Sequence, residues 1–235
     1  RPWTALILIF AVLMPGSVPR GVAQVALPSV QLPDATRTLP PLPNLGTEPL
    51  ARIGDTEALS ALATHSSEAV RIAALVALRQ LASPALAEFL DDDSQFVVTN
   101  AARAINDDLF VDDALPALAK LLGETPFSNE PLVRRVINAN AFVADAAAAK
   151  RLADYAADTD APAAMRAEAV DAMANWAEPS VFDRVSGRYR DEREGNGEDA
   201  KAALADVYPK LLKDTDAKVR EASVNALGAL VYADA

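Results

Sequence analysis

The 235-residue chain has no cysteine, a single histidine and few aromatic residues, 6% in all. Without cysteine there are no disulfides, no thiolate catalysis, no zinc-thiolate site and no covalently attached c-type haem. One histidine, His65, makes no catalytic triad without a nucleophile and an orienting partner, and its sequence neighbours supply neither. It follows Thr64 at an expected helix end, where a partly cationic ring complements the helix dipole. Basic residues are also scarce relative to acidic ones, 22 against 33, for a net charge of −11. A general nucleic-acid or anionic-membrane binder needs clustered Lys and Arg, so both classes are argued against. Ala5 to Met14 is a continuous apolar run, too short to span a bilayer comfortably.

Hydrophobic residues nevertheless make up 51% of the chain, and alanine supplies what the aromatics do not. That composition favours close-packed helices over a sheet sandwich. A recurring phrase says how they pack. It reads Val70-Arg71-Ile72-Ala73-Ala74-Leu75-Val76-Ala77-Leu78, and returns from Met165 to Met173 and from Val219 to Leu227. Its form is apolar, Arg, any, small, small, apolar, any, Ala, apolar. Apolar and small residues three and four apart share one helix face, and small ones let a neighbouring helix come close. Two weaker copies run from Val97 to Ile105 and from Val133 to Asn140; the second keeps its Arg and then turns polar. The Arg71 position therefore recurs as Val98, Arg134, Arg166 and Arg220, at spacings of 27 to 54 residues. Two-helix repeats of this length build solenoids. The widest spacing implies an insertion.

In chain order, residues 1–23 resemble an export signal, with Arg1, the apolar run and a small-x-small site at Gly21-Val22-Ala23. Residues 24–47 carry Pro28, Pro33, Pro40, Pro41 and Pro43, and are expected to be an extended tether. Residues 48–235 are expected to form about five helical hairpins with an irregular insert at 179–198. Ser67 is placed to cap the first inner helix, Pro131 to start the third and Glu178-Pro179 to end the fourth. The start at Arg1 suggests a fragment or a processed chain. Leu227, Leu230 and Val231 lie near the end without a polar capping helix, which suggests an array that continues in a longer protein.

An acidic turn, then Val-Arg, then Ala-Ser and Ala-Leu, as from Asp216 to Leu227, resembles the HEAT repeat. The resemblance covers about 48–235 and implies an all-α solenoid. Some members of the wider HEAT-like group are chromophore lyases, but no chromophore pocket is marked in this sequence. A narrower resemblance covers 132–190, carried by Arg134 to Asn140, Ala149 to Ala153, Met165 to Ala169, Asn175-Trp176 and Asp183 to Arg190. This stretch is similar to the helical linker of large exported bacterial proteins, in which a quinoprotein dehydrogenase propeller precedes the repeats and a cytochrome c follows. The resemblance implies a scaffold beside redox domains. The sequence has no propeller and no Cys-x-x-Cys-His, so no residue inherits redox chemistry.

The candidate sites are few. Arg71, Arg134, Arg166 and Arg220 could line a groove for an acidic ligand. The structural reading is preferred: each pairs with an acidic turn residue of a neighbouring repeat, such as Asp91, Asp93, Asp158, Asp160 or Asp214. Asp191, Glu192, Glu194, Asn196, Glu198 and Asp199 offer oxygen ligands for calcium but not in the EF-hand order, and are expected to be a solvated loop. The carboxylates at Asp91 to Asp93, Asp107-Asp108 and Asp112-Asp113 suit caps and solubility better than catalysis. Trp176, Asp183, Arg184, Arg188, Tyr189 and Arg190 have an interface composition, against the alternative that Trp176 is core and Asp183 braces its own turn. The expected protein is a non-catalytic repeat scaffold, periplasmic or secreted, with a protein or neighbouring domain as partner. No cofactor, metal or nucleic acid is expected, and contact with a membrane is expected only through an N-terminal anchor. The alternatives are a linker of a redox protein and a HEAT-like lyase.

Overall fold

The computed structural model describes residues 43–108 and 111–232. The signal-like segment and most of the proline-rich tether lie outside them. The described chain is an all-α solenoid, and its only strand-like pairing is one isolated antiparallel bridge, Phe182 to Tyr189. No helix among the described residues is long and apolar enough to cross a membrane.

The first helix, α1 (Pro43–Ile53), begins within the stretch expected as tether and packs on the helix carrying Arg71. Five hairpins follow. The first is α2 (Thr56–Ser60) with a 3-10 turn to Thr64, then α3 (Glu68–Gln80). The second is a 3-10 segment, Pro84–Phe89, then α4 (Gln95–Arg103), which runs on as a π-helical turn, Ala104–Asp108. The third is α5 (Leu115–Lys120) and α6 (Glu130–Val143); the fourth is α7 (Ala146–Ala157) and α8 (Ala163–Ala174). The fifth is α9 (Gly197–Ala205), α10 (Tyr208–Leu211) and α11 (Ala217–Tyr232). Its outer helix is broken in two. Pro209 lies in the first turn of α10, where its missing N–H and fixed φ restart a helix.

Side chains set these boundaries. The Ser94 hydroxyl accepts from Val97 N–H and the Asp145 carboxylate from Ala148 N–H, covering donors that the first helical turn leaves unpaired. Ala144 takes the left-handed conformation at φ 50°, ending α6 directly before the Asp145 cap. The inner helices α3, α4, α6, α8 and α11 touch in succession and the outer elements back them. The repeated phrase forms the shared face: Ala74, Leu75, Ala77 and Leu78 of α3 are buried, as are Ala169, Val170, Ala172 and Met173 of α8. Asn140, buried on α6, ties it to both outer neighbours. It donates to the Ala119 carbonyl of α5 and accepts from Arg151 of α7.

Three of the four repeated arginines staple one repeat to the next, and Arg220 instead holds the Asp214 and Thr215 carbonyls of its own turn. Arg71 makes a bidentate pair with Asp92 at 2.6 and 3.0 Å, with Asp93 farther off at 3.4 Å. Arg134 reaches Glu168 of α8 at 3.1 Å, and Arg166 pairs with Asp214. Asp214 is one of the expected partners, whereas Arg71 selects the central aspartate of its triplet over Asp91. Two of these carboxylates also organise their own turns: Asp92 accepts from Ser94 N–H and Asp214 from Asp216 N–H. His65 does the same for the first repeat, its Nδ1 accepting from Ser67 N–H at 3.0 Å. The histidine thus stands where the second and fifth repeats place aspartate.

Candidate interaction site

The insert between α8 and α9 is built on one carboxylate. Asp183 is buried, and its Oδ1 accepts from Val185 N–H, Ser186 N–H and the Ser186 hydroxyl. The backbone closes the same turn: Asp183 N–H donates to Arg188 O, Gly187 N–H to Asp183 O and Arg190 N–H to Val181 O. Gly187 has φ +69°, a conformation that costs a residue without Cβ little. Burial alone would push the Asp183 carboxyl up. The hydrogen bonds from Ser186, Asn138 and Val185 outweigh it and hold the group below the usual carboxylate range.

The base of the turn is fastened to the solenoid. Asn138 of α6 donates to Asp183 Oδ2 and to Asn106 Oδ1, both at 2.8 Å. Arg190 donates to the Asn106 carbonyl at 2.8 Å and approaches Asp183 Oδ2 at 3.5 Å. The π-helical turn is what brings the Asn106 carbonyl to the insert, and Arg135 grips its Asp107 side chain at 2.6 and 2.8 Å. Arg184 donates to Glu168, the carboxylate that also receives Arg134. Past the turn, Arg193 lies 3.9 Å over the Phe142 ring and donates to the Ala141 carbonyl. Gly195 then crosses the end of the fourth hairpin so closely that a Cβ would stand 2.0 Å from the Ala177 carbonyl oxygen.

The six expected interaction residues therefore divide. Trp176 and Asp183 are interior, at 3% and 2% exposure. Arg190 is mostly enclosed and Arg184 is held by Glu168. Arg188 and Tyr189 are exposed. Tyr189 meets Phe182 edge to face, ring centres 6.3 Å apart, and the two residues are 63% and 57% exposed. Sequence reasoning had no place for Phe182, Asn106 or Asn138. One signal for Asn138 was present: it occupies the phrase position filled by Leu75 and Val170, so a polar residue stood at an otherwise apolar core position.

Two hollows flank the insert. One, about 30 Å³, lies between Asn138, Trp176, Phe182, Arg184 and Arg193. The other is an open cleft of about 470 Å³ between the start of α5 (Asp112, Leu115, Pro116), the end of α6 (Phe142, Val143) and Arg190, Asp191 and Arg193. Its lining has no Ser, Thr, Cys, His, Lys or Tyr, so it offers no nucleophile and no base other than carboxylate. Its arginines already engage Asn106, Asp183 and Ala141. The acidic loop forms no metal cradle: among the described residues no three His, Cys, Asp or Glu side chains converge. Asn196 instead caps α9, accepting from Glu198 N–H.

Stacked helical hairpins joined by Arg–carboxylate staples define a helical-repeat scaffold. Within it, residues 207–233 match the family model for the HEAT repeat. Among solved structures, the chain is similar to a designed armadillo repeat protein in complex with the peptide (KR)4, at 23% identity. That match covers 78% of this chain and 85% of the other, with a TM-score of 0.49. A second similar structure is of computationally designed armadillo repeat proteins for modular peptide recognition, at 22% identity, covering 80% and 88%, with a TM-score of 0.48. A search of curated proteins finds no match.

Proposed function

We propose that this chain is a non-catalytic repeat scaffold that docks a protein partner or neighbouring domain on the tip of its insert, outside the cytoplasm. One observation carries the reading. Phe182 and Tyr189 are more than half exposed on a turn whose base is buried and hydrogen-bonded to two inner elements. Two aromatic plates held rigid lose little conformational entropy when a partner covers them, which is what an interface anchor needs. Irregular segments on rigid scaffolds are also where binding residues collect. The apolar run at Ala5 to Met14 with its Gly21-Val22-Ala23 site supports the location.

The test places a photo-crosslinking residue at exposed position 188, beside the aromatic pair, of the full chain in its native cell. One dominant protein adduct is expected, lost in Phe182→Ala with Tyr189→Ala at an unchanged melting midpoint. Diffuse adducts, or an adduct indifferent to both substitutions, would overturn the reading. The similarity of 132–190 to linkers of exported redox proteins supports a narrower version, in which the partner is an adjacent redox domain and the adduct is intramolecular. A lyase has less behind it, because the larger cleft offers only carboxylates and the hollow that Ser180 lines holds only about 30 Å³.

A further inference from the structure

Arg193 carries a charge that its own surroundings leave unanswered. Hydrogen bonds to carboxylates raise the pKa of Arg71, Arg134 and Arg166. Burial pushes that of Arg193 down, and only the field of Asp183 opposes it. Among the described residues no carboxylate pairs with the Arg193 guanidinium. Its Nη1 donates to the neutral Ala141 carbonyl, its Nε is buried without an acceptor, and its central carbon lies 3.9 Å over the Phe142 ring. Taking a cation out of water without a counter-charge is costly, and a ring face offsets only part of that cost.

The same side chain lines the open cleft of about 470 Å³, within the range of about 300–1,000 Å³ usual for small-molecule sites. Leu115, Pro116, Phe142 and Val143 give the cleft apolar walls. Two exposed carboxylates, Asp112 and Asp191, also stand in the lining, and neither acts on Arg193. Arg190, the other cation, already gives Nη2 to the Asn106 carbonyl and to Asp183.

We infer that this cleft is a binding site for a small monocarboxylate with an apolar body. The carboxylate takes Arg193 Nη2, and the apolar body lies against Phe142, Leu115 and Val143. A guanidinium held over a ring presents its donors in one plane, which suits a carboxylate. Asp112 and Asp191 repel a second negative charge, which sets dicarboxylates and phosphates aside. Charge also argues against the chain's own residues 1–42 as the occupant, because they hold Arg1, Arg20 and Arg37 but a single carboxylate, Asp34; Leu109 and Phe110 hold none. The site is separate from the insert tip and does not depend on it.

Phenylacetate is the probe, titrated calorimetrically into the full chain, with phenylacetamide as its neutral match. Saturable binding at one site is expected, about tenfold or more tighter for the acid than for the amide, as a charge-assisted hydrogen bond implies. Arg193→Gln should remove that difference by weakening phenylacetate alone. Pro116→Glu, at an exposed position on the α5 wall, should also weaken phenylacetate while the melting midpoint stays unchanged, so the outcome does not hang on the folding of the Arg193 variant. Absence of saturable binding, including through closure of the cleft by residues 1–42, overturns the inference. Equal binding of acid and amide, or phenylacetate binding that neither substitution weakens, overturns it as well.

Discussion

Arg166 of α8 and Asp214, 48 residues later, form a buried two-pronged ion pair that fastens the fourth hairpin to the fifth across the insert. Both side chains are almost completely enclosed, at 5% and 4% exposure. The hydrogen bond from Arg166 is the main reason the Asp214 carboxyl sits below the ordinary range, and burial opposes it. Removing one partner strands a buried charge, which costs about 3–5 kcal/mol. Arg166→Ala or Asp214→Ala should each lower the unfolding free energy by that order in a urea titration. The double change to apolar residues of similar volume should cost much less than the sum. Additive losses would show that the pair does not act as a unit.

Acid should therefore unfold the chain in a particular window. Asp92, Asp183 and Asp214 are all held below the usual carboxylate range in the folded state. The unfolded chain then takes up protons first as pH falls. The stability these groups contribute is complete above about pH 4, the ordinary value, and is lost as pH drops through their depressed values. Urea midpoints measured from neutral pH down to about pH 2 should fall steeply only below about pH 4. Asp214→Asn should flatten that limb. A midpoint that falls mainly between neutrality and pH 5 would contradict the assignment.

Asp183→Asn should loosen the insert before it loosens the array. The substitution places an N–H₂ group among donors from Val185, Ser186 and Asn138, which leaves a buried polar group unpaired at about 1–3 kcal/mol. Hydrogen exchange at the Val185 and Ser186 amides should accelerate while α3 and α4 keep their protection. Uniform acceleration across all helices would mean that the insert and array unfold together.

Gly195→Ala tests the crossing point. A Cβ there meets the Ala177 carbonyl oxygen at 2.0 Å and the Trp176 carbonyl oxygen at 2.5 Å, and backbone cannot give way as a flexible side chain can. Forcing it should cost about 1–3 kcal/mol. Tryptophan fluorescence from Trp176 should shift together with the lower midpoint. An unchanged midpoint would place Gly195 elsewhere.

Ala74→Phe addresses the register of the repeat. Ala74 is fully buried on the face α3 presents to its neighbours. Overpacking such a contact costs about 1–3 kcal/mol. A midpoint equal to the parent's would put the phrase on the wrong face of the helix.

The array itself was legible in the residues. Small and apolar side chains at three- and four-residue spacing assign a buried face whatever their neighbours, so Ala74, Leu75, Val170 and Met173 could be read as core from sequence. The Pro and Gly positions marked most breaks for the same local reason. The insert was legible only as an interruption. Its role depends on contacts between residues far apart: Asn106 with Asn138, Asn138 with Asp183, and Arg190 with the Asn106 carbonyl, 84 residues away. Nothing in the local pattern says whether an aspartate beside arginines will bind them or turn inward to backbone amides. The tertiary structure decided that, because burial makes an unpaired carboxylate costly and places four donors within reach of Asp183. It decided in the same way that Trp176 fills the interior while Phe182 and Tyr189 face water.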